Sequence, residues 1–319
     1  MSKSDPDEST TNVLIDIRNQ LSKLSRRSTL KSFVPIFFFL LVGVQMFVWL
    51  GEDPNEIPDK PHIALIKIEG AIGPGSKYGD AMKIVAALDQ ANNNDNVKSI
   101  LIEADSGGGS PVHAEIVSNA IDDIRKSGKR VVFSIGEICA SACLYIGSQA
   151  DEVYVHRNSL VGSVGVKIEG WGFTKLMNQV GIERRSYSKG QHKTFLDPFQ
   201  PEDRVVAEHV EDNILTPLFG EFKRVLKEGR GDKLSDDPRV LSGLVWTGSE
   251  AVDLGLADEI ADSWTLREKL KIQYVVDDII AYNKKRIRVK DLLTSDFYSE
   301  VISKTLLTIS ESSDGKLMY

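Results

Sequence analysis

The sequence predicts an α/β protein with a largely parallel sheet. Apolar strand-like runs alternate with helix-period segments, short loops join them, and glycine-rich turns stand at strand ends. The chain has 319 residues, 41% of them hydrophobic, enough for one large or two modest cores once non-globular ends are set aside. The alternation begins at His62–Glu69, a strand, followed by a helical pattern over 80–91. Val97–Glu103 is a second strand, Val112–Ile124 a helix and Arg130–Ile135 a third strand. Small and apolar residues from Glu137 to Ile146 then suit a tightly packed helix, and Glu152–His156 is a short strand. Phe173–Val180 reads as a helix, Ile182–Ser188 as a strand and Glu202–Lys227 as a long amphipathic helix. A short helix and strand over Gly243–Asp262 close the pattern, which blurs beyond Tyr274. Strand–helix units recur about every 30 residues without a sequence-level repeat.

The ends differ from this body. Residues 33–50 carry no charge and as a helix would span ~27 Å, close to the thickness of a bilayer core. Arg18, Lys23, Arg26, Arg27 and Lys31 precede this segment, whereas Glu52, Asp53, Glu56 and Asp59 follow it. The positive-inside rule then leaves the N-terminus in the cytoplasm and exports the rest. No small-x-small cleavage site follows Leu50, so an uncleaved single-pass anchor in the inner (plasma) membrane is expected. Val13, Ile17, Leu21 and Leu24 form a weak amphipathic stripe in the arm before it. The expected organisation is a cytoplasmic arm over 1–32, an anchor over 33–50, a proline-rich linker over 51–61, a globular domain over 62–274 and an extension over 275–319.

Net charge is −7, with acids and bases mixed along most of the chain, which argues against a nucleic-acid partner. Cys139 and Cys143 are the only cysteines. Placed four apart on one helix they make a poor disulfide, and further metal ligands are missing nearby, so they are expected to be buried small apolar residues.

Ser141 stands at the junction of the third strand and its helix, where free helical N–H groups can stabilise a negative oxygen. A small residue chosen for packing is the alternative. Asp105-Ser-Gly-Gly-Gly-Ser-Pro111 lies between a strand and a helix, and its glycines allow a close backbone approach to an oxyanion or simply a flexible turn. No Lys-Ser/Thr pair follows, so a phosphate loop is poorly supported. A serine nucleophile needs a base. None of the five histidines has an acidic partner in sequence, while Lys189 and Lys193 lie where a strand gives way to a polar loop. A lysine serves only if burial favours its neutral amine. Leu160-Val-Gly-Ser163-Val-Gly-Val166 is either an ordinary tight turn or a place from which Ser163 holds a lysine.

Three stretches together resemble the signal peptide peptidase A family of membrane-anchored Ser–Lys proteases, whose fold is Clp protease/crotonase-like. They are Ala140-Ser141-Ala142 followed by Ala150–Tyr154, the turn Val161–Val166, and Val245-Trp-Thr-Gly-Ser-Glu-Ala-Val-Asp-Leu-Gly-Leu-Ala-Asp-Glu-Ile260. The separation of Ser141 and Lys193 is similar to the family's nucleophile-to-base spacing, which prefers Lys193 over Lys189. The resemblance implies a serine endopeptidase in which Ser141 attacks, Lys193 is the base, Gly108 and Ala142 supply oxyanion N–H groups, and Ser163 orients the lysine. It further implies apolar peptide substrates such as cleaved signal peptides, a homo-oligomer whose neighbouring subunits complete the groove, and no cofactor or metal. The sequence departs from the family at Gly107, where proline is usual, and at Ala142-Cys143, where a glycine pair is usual. A crotonase-type acyl-CoA enzyme and a catalytically silent membrane scaffold are the other readings of the same fold.

Overall fold

The computed structural model describes residues 16–18, 38–44, 57 and 59–283, and of these residues 57 and 59–283 belong to one compact unit. Its centre is an eight-stranded sheet in the order β6-β5-β3-β2-β1-β8, with β4 and β7 attached beside β3. The strands are β1 (His62–Glu69), β2 (Val97–Ser106), β3 (Val131–Ala140), β4 (Glu152–Val155), β5 (Leu160–Gly162), β6 (Val245–Thr247), β7 (Glu259–Ile260) and β8 (Asp278–Ala281). All pair in parallel except β5 with β6. The expected largely parallel α/β architecture is therefore present.

Alternation along β1 explains why both faces of the sheet are covered. Ala64, Ile66 and Ile68 point into the larger core, whereas Ile63 and Leu65 point into a smaller one with Leu101 and Val132. Helices α1 (Ala81–Asn92), α2 (Pro111–Lys126) and α3 (Ala142–Gly147) cover the larger face. Helix α8 (Ser263–Tyr274) seals the other with Leu266 and Leu270, both fully buried. Each such side chain contributes roughly 1.5–3 kcal/mol of burial. The helix starts are specified locally. Asp80 caps α1 by accepting from Met82 N (3.0 Å), and Ser110 with Pro111 opens α2. Thr247 and Glu250 form a capping box on α7 (Gly248–Asp253).

Strand β3 forks. Its first half, Val132–Ile135, pairs with β4, and its second half, Ile138–Ala140, pairs with β5. Just before Ser141, β3 is thus held between β2, through Ser106 opposite Cys139, and β5.

Several expectations change. Strand β3 runs on to Ala140, and α3 is only six residues long, so the segment from Glu137 begins as strand. Cys139 consequently lies on β3 and Cys143 on α3, with Cα atoms 5.1 Å apart, and the two are disulfide-bonded. The expectation of two unbonded cysteines on one helix fails because a sharp turn separates them. Ile182–Ser188 is not a strand: it is irregular and exposed, and among the described residues no strand pairs with its backbone. The long helix over 202–227 is α5 (Arg204–Val210), a π segment (Glu211–Leu215) and α6 (Thr216–Arg230). Pro217 lacks the N–H that would bond back four residues, which loosens the preceding turn. Helix α4 (Thr174–Val180) stands as expected. Past Tyr274, β8 adds a strand against β1.

The expected transmembrane helix is not supported by the structure. Residues 38–44 are helical and exposed, the remainder of 33–50 lies outside the described residues, and no helix among those described is long and apolar enough to cross a membrane. The arm apart from residues 16–18, most of the linker, and residues 284–319 of the extension likewise lie outside them.

Candidate active site

Ser141 occupies the turn between β3 and α3 with φ 53° and ψ −119°, a left-handed conformation unusual for a side-chain-bearing residue. Such a conformation costs on the order of 1–3 kcal/mol and persists only where the surroundings enforce it. Here Ser141 N donates to Gly162 O (2.9 Å), extending the β3–β5 pairing by one residue, and Ser141 O accepts from Tyr145 N (3.0 Å). Sharp strand-to-helix turns of this kind push a serine Oγ out of the sheet toward a cleft while keeping helical N–H groups beside it. The Ser141 side chain makes no capping bond to its own helix.

The glycine loop after β2 packs directly on this turn. Gly108 has φ 106°, and a Cβ there would lie 2.9 Å from Ser141 Cβ, 2.9 Å from Ala140 O and 3.2 Å from Ala142 N. Only glycine permits that approach. Gly109 is held equally closely, since a Cβ on it would meet Ile72 O at 2.0 Å. Ala142 N is the first helical N–H and has no acceptor within α3. Gly108 N–H already donates to Ser106 Oγ (3.1 Å), and Ser106 Oγ donates in turn to Gly70 O (2.5 Å). Ser106 thus shapes the loop, a role its position beside the glycines only hinted at.

A cavity of about 80 Å³ opens beside Ser141, lined by Ala142, Gly109, Val112, Tyr145, Phe222 and the Gly165–Val166 turn among others. Its lining is mostly apolar, with the Tyr145 and Phe222 rings 5.3 Å apart. Burial pushes the Tyr145 phenol up to about 12, so it stays neutral. Glu115 and Glu221 also line it, and the Arg224 guanidinium holds the Glu221 carboxyl below its usual range by hydrogen bonding.

Ser163 follows Gly162 with φ 54°, its N–H donating to Leu244 O (2.7 Å), and its turn continues into the cavity wall at Gly165. Lys193 is placed differently. It is exposed in the 188–200 loop and does not line the Ser141 cavity. Its neighbours His192 and Thr194 instead line a separate cleft of about 520 Å³ with Trp171, Leu196 and Val206. Lys189 is exposed in the same loop. The single chain therefore brings together Ser141, Gly108, Ala142 and the Ser163 turn, while Lys193 is exposed and outside the lining of the Ser141 cavity. The feature that sequence reasoning missed is the Cys139–Cys143 bridge across Ser141; the symmetric placement of the cysteines at two residues on either side was its only signal. Among the described residues no His, Cys, Asp or Glu group is arranged to hold a metal ion.

Comparison with known proteins gives this constellation a family. Residues 123–277, which include Ser141, Ser163 and Lys193, match peptidase family S49. The chain is 32% identical over 212 residues to a protein of Brucella melitensis named Na(+)/H(+) antiporter NhaA, covering 65% of this chain and 29% of that one. It is 28% identical over 212 residues to Protease 4 of Haemophilus influenzae, covering 64% and 33%. It is 25% identical over 212 residues to the chloroplastic serine protease SPPA of Arabidopsis thaliana, covering 63% and 31%. In each of these three the chain spans a third or less of the relative's own length. Residues 123–277 thus form a peptidase family S49 domain, and the chain is similar to the SppA-type proteases.

Proposed function

We propose that this chain is a serine endopeptidase that works as a homo-oligomer and cleaves apolar peptides, such as released signal peptides, at a membrane. The observation that carries the reading is the close packing of the Gly108 loop on a strained Ser141 beside an apolar cavity. In this reading Ser141 Oγ attacks the peptide carbonyl, and the neutral Lys193 amine takes its proton and later delivers it to the leaving amine. Ala142 N–H, together with Gly108 N–H shared with Ser106, receives the developing oxyanion. Ser163 orients the lysine.

The base comes from a neighbouring subunit. Supporting this, Lys193 is exposed and away from the Ser141 cavity, and the segment around it leaves large apolar groups uncovered: Trp171 is 80% exposed and Tyr187 92%. Apolar surface on that scale marks an interface. The apolar, uncharged segment 33–50 would serve as the anchor that leaves the N-terminus in the cytoplasm and the catalytic domain on the exported side.

Substituting Ser141→Ala and Lys193→Ala separately should each abolish cleavage of casein or a signal peptide by the full chain. Mixed assemblies of the two inactive variants should regain activity, because some subunit pairs then carry an intact serine opposite an intact lysine. Retained activity in Lys193→Ala, with loss in Lys189→Ala, would reassign the base, and no recovery on mixing would refute a lysine supplied by the neighbour.

A further inference from the structure

We infer that the Cys139–Cys143 disulfide positions the Ser141 nucleophile and makes the peptidase reaction sensitive to thiol reductants. The inference rests on the reading of Ser141 as nucleophile. The bridge spans Ser141 with two residues on each side, tying the end of β3 to the first turn of α3. Cys139 is fixed in the sheet, paired in register with Ser106 on β2 and Val161 on β5, and both cysteines are fully buried.

The turn needs such a tie. Ser141 adopts positive φ without being glycine, and its own side chain does not cap the helix. Ala140 and Ala142 on either side carry only methyl groups. Helix α3 has six residues, too few to be stable on helical bonding alone. Beside the packing of the Gly108 loop and of the buried α3, the ties that remain are two backbone hydrogen bonds, to Gly162 O and from Tyr145 N, and the covalent bridge. Of these, the bridge alone cannot be exchanged for a bond to water.

Reduction by a dithiol transfers two electrons and two protons. The Sγ–Sγ bond breaks, Cys139 and Cys143 become thiols, and the dithiol closes to its own cyclic disulfide. Ser141 is then free to relax toward negative φ, carrying Oγ away from the Ala142 and Gly108 N–H groups. The cavity walls formed by Val112, Tyr145 and Phe222 stand on α2, α3 and α6 and on the core behind them. The loss should therefore fall on turnover rather than on substrate affinity.

The test uses the full chain. Thiol titration of the unfolded, unreduced protein should find no free thiol; two free thiols overturn the proposal. Oxidised protein, dithiothreitol-treated protein and the Cys139→Ala/Cys143→Ala variant are then compared for peptide cleavage and for labelling by a fluorophosphonate. In the reduced and variant forms kcat and labelling rate should fall by roughly 10- to 100-fold, the range for a displaced reacting group, while KM stays within about twofold. Thermal unfolding should remain cooperative in all three. Labelling equal in oxidised and reduced protein overturns the disulfide's role alone. Oxidised wild type that is not labelled at Ser141 overturns the nucleophile reading and this one with it. Loss of cooperative unfolding on reduction assigns the bridge to the fold and overturns the positioning role.

Discussion

Gly108→Ala tests the architecture of the site through one methyl group. The added Cβ would lie 2.9 Å from Ser141 Cβ and 2.9 Å from Ala140 O, distances at which something must move, and it would sit on a residue held at φ 106°. A side chain in such a conformation costs on the order of 1–3 kcal/mol, and overpacking a well-packed site costs about 1–3 kcal/mol more. Neither neighbour yields cheaply. Ala140 belongs to β3, and Ser141 is pinned through its backbone to Gly162 and Tyr145. The Gly108 loop must retreat instead, and it is itself held by Ile72 N donating to Gly108 O (2.9 Å). A loss of even 2 kcal/mol lowers Tm by about 4–8 °C for a domain of this size. The retreating loop also takes an N–H away from the oxyanion position, so fluorophosphonate labelling of Ser141 should slow by about 100-fold, the scale for one lost oxyanion donor. Differential scanning calorimetry and labelling kinetics on the same preparation check both numbers. A Gly108→Ala protein with unchanged Tm and unchanged labelling would refute the claim that the loop and Ser141 are in contact.

Other outcomes follow from sites at a distance. Burial alone would raise the Asp258 carboxyl, but hydrogen bonds from Arg230, Lys233 and Val153 N–H outweigh it and hold the group down at about 2. A carboxyl depressed from 3.8 to about 2 contributes about 2 kcal/mol of stability, fully present above about pH 4 and lost as pH falls toward 2. Asp258→Asn should remove that dependence from urea-unfolding curves across pH 2–5. It should also cost about 3–5 kcal/mol at pH 7, because Arg230, only 1% exposed, loses its charged partner; curves parallel to wild type would count against this. At Gly107 a Cβ meets nothing within 4 Å and φ is not positive, so Gly107→Ala should stabilise the domain by about 0.4–1 kcal/mol with labelling unchanged. A destabilised Gly107→Ala would show that the freedom of this loop is required by the native state.

Much of the fold was legible because its signals are local. Strand β1 occupies the expected His62–Glu69, since a strand buried on both faces reads as an unbroken apolar run. The placement of Ser141 between strand and helix was legible for the same reason: the composition changes there. What the sequence could not show depended on partners remote along the chain. The fork of β3 arises because β4 and β5 divide its length, so Glu137–Ala140 looked like the start of a helix although β5 holds it extended. The disulfide was hidden by that same error, since a bridge that is poor within a helix becomes natural across a strand-to-helix turn. Ile182–Ser188 has the composition of a strand but no strand beside it in a single copy of the chain. The location of Lys193 is a similar case, because its spacing from Ser141 does not reveal that the folded 188–200 loop leaves it exposed and outside the lining of the Ser141 cavity.

The pairing of β1 with both β2 and β8 has a consequence for how the molecule is made. Strand β2 is 35 residues downstream of the start of β1 and is available early, but the register His62↔Asp278 joins the first strand of the sheet to the last. While a ribosome is still extending the chain, the outer edge of β1 has no hydrogen-bonding companion, and it stays so until nearly the whole domain has emerged. Contacts of such long sequence separation form slowly, and an open apolar edge invites association with other nascent chains. The final strand is therefore a closing seam, and truncations before Asp278 should yield protein that aggregates as it is synthesised.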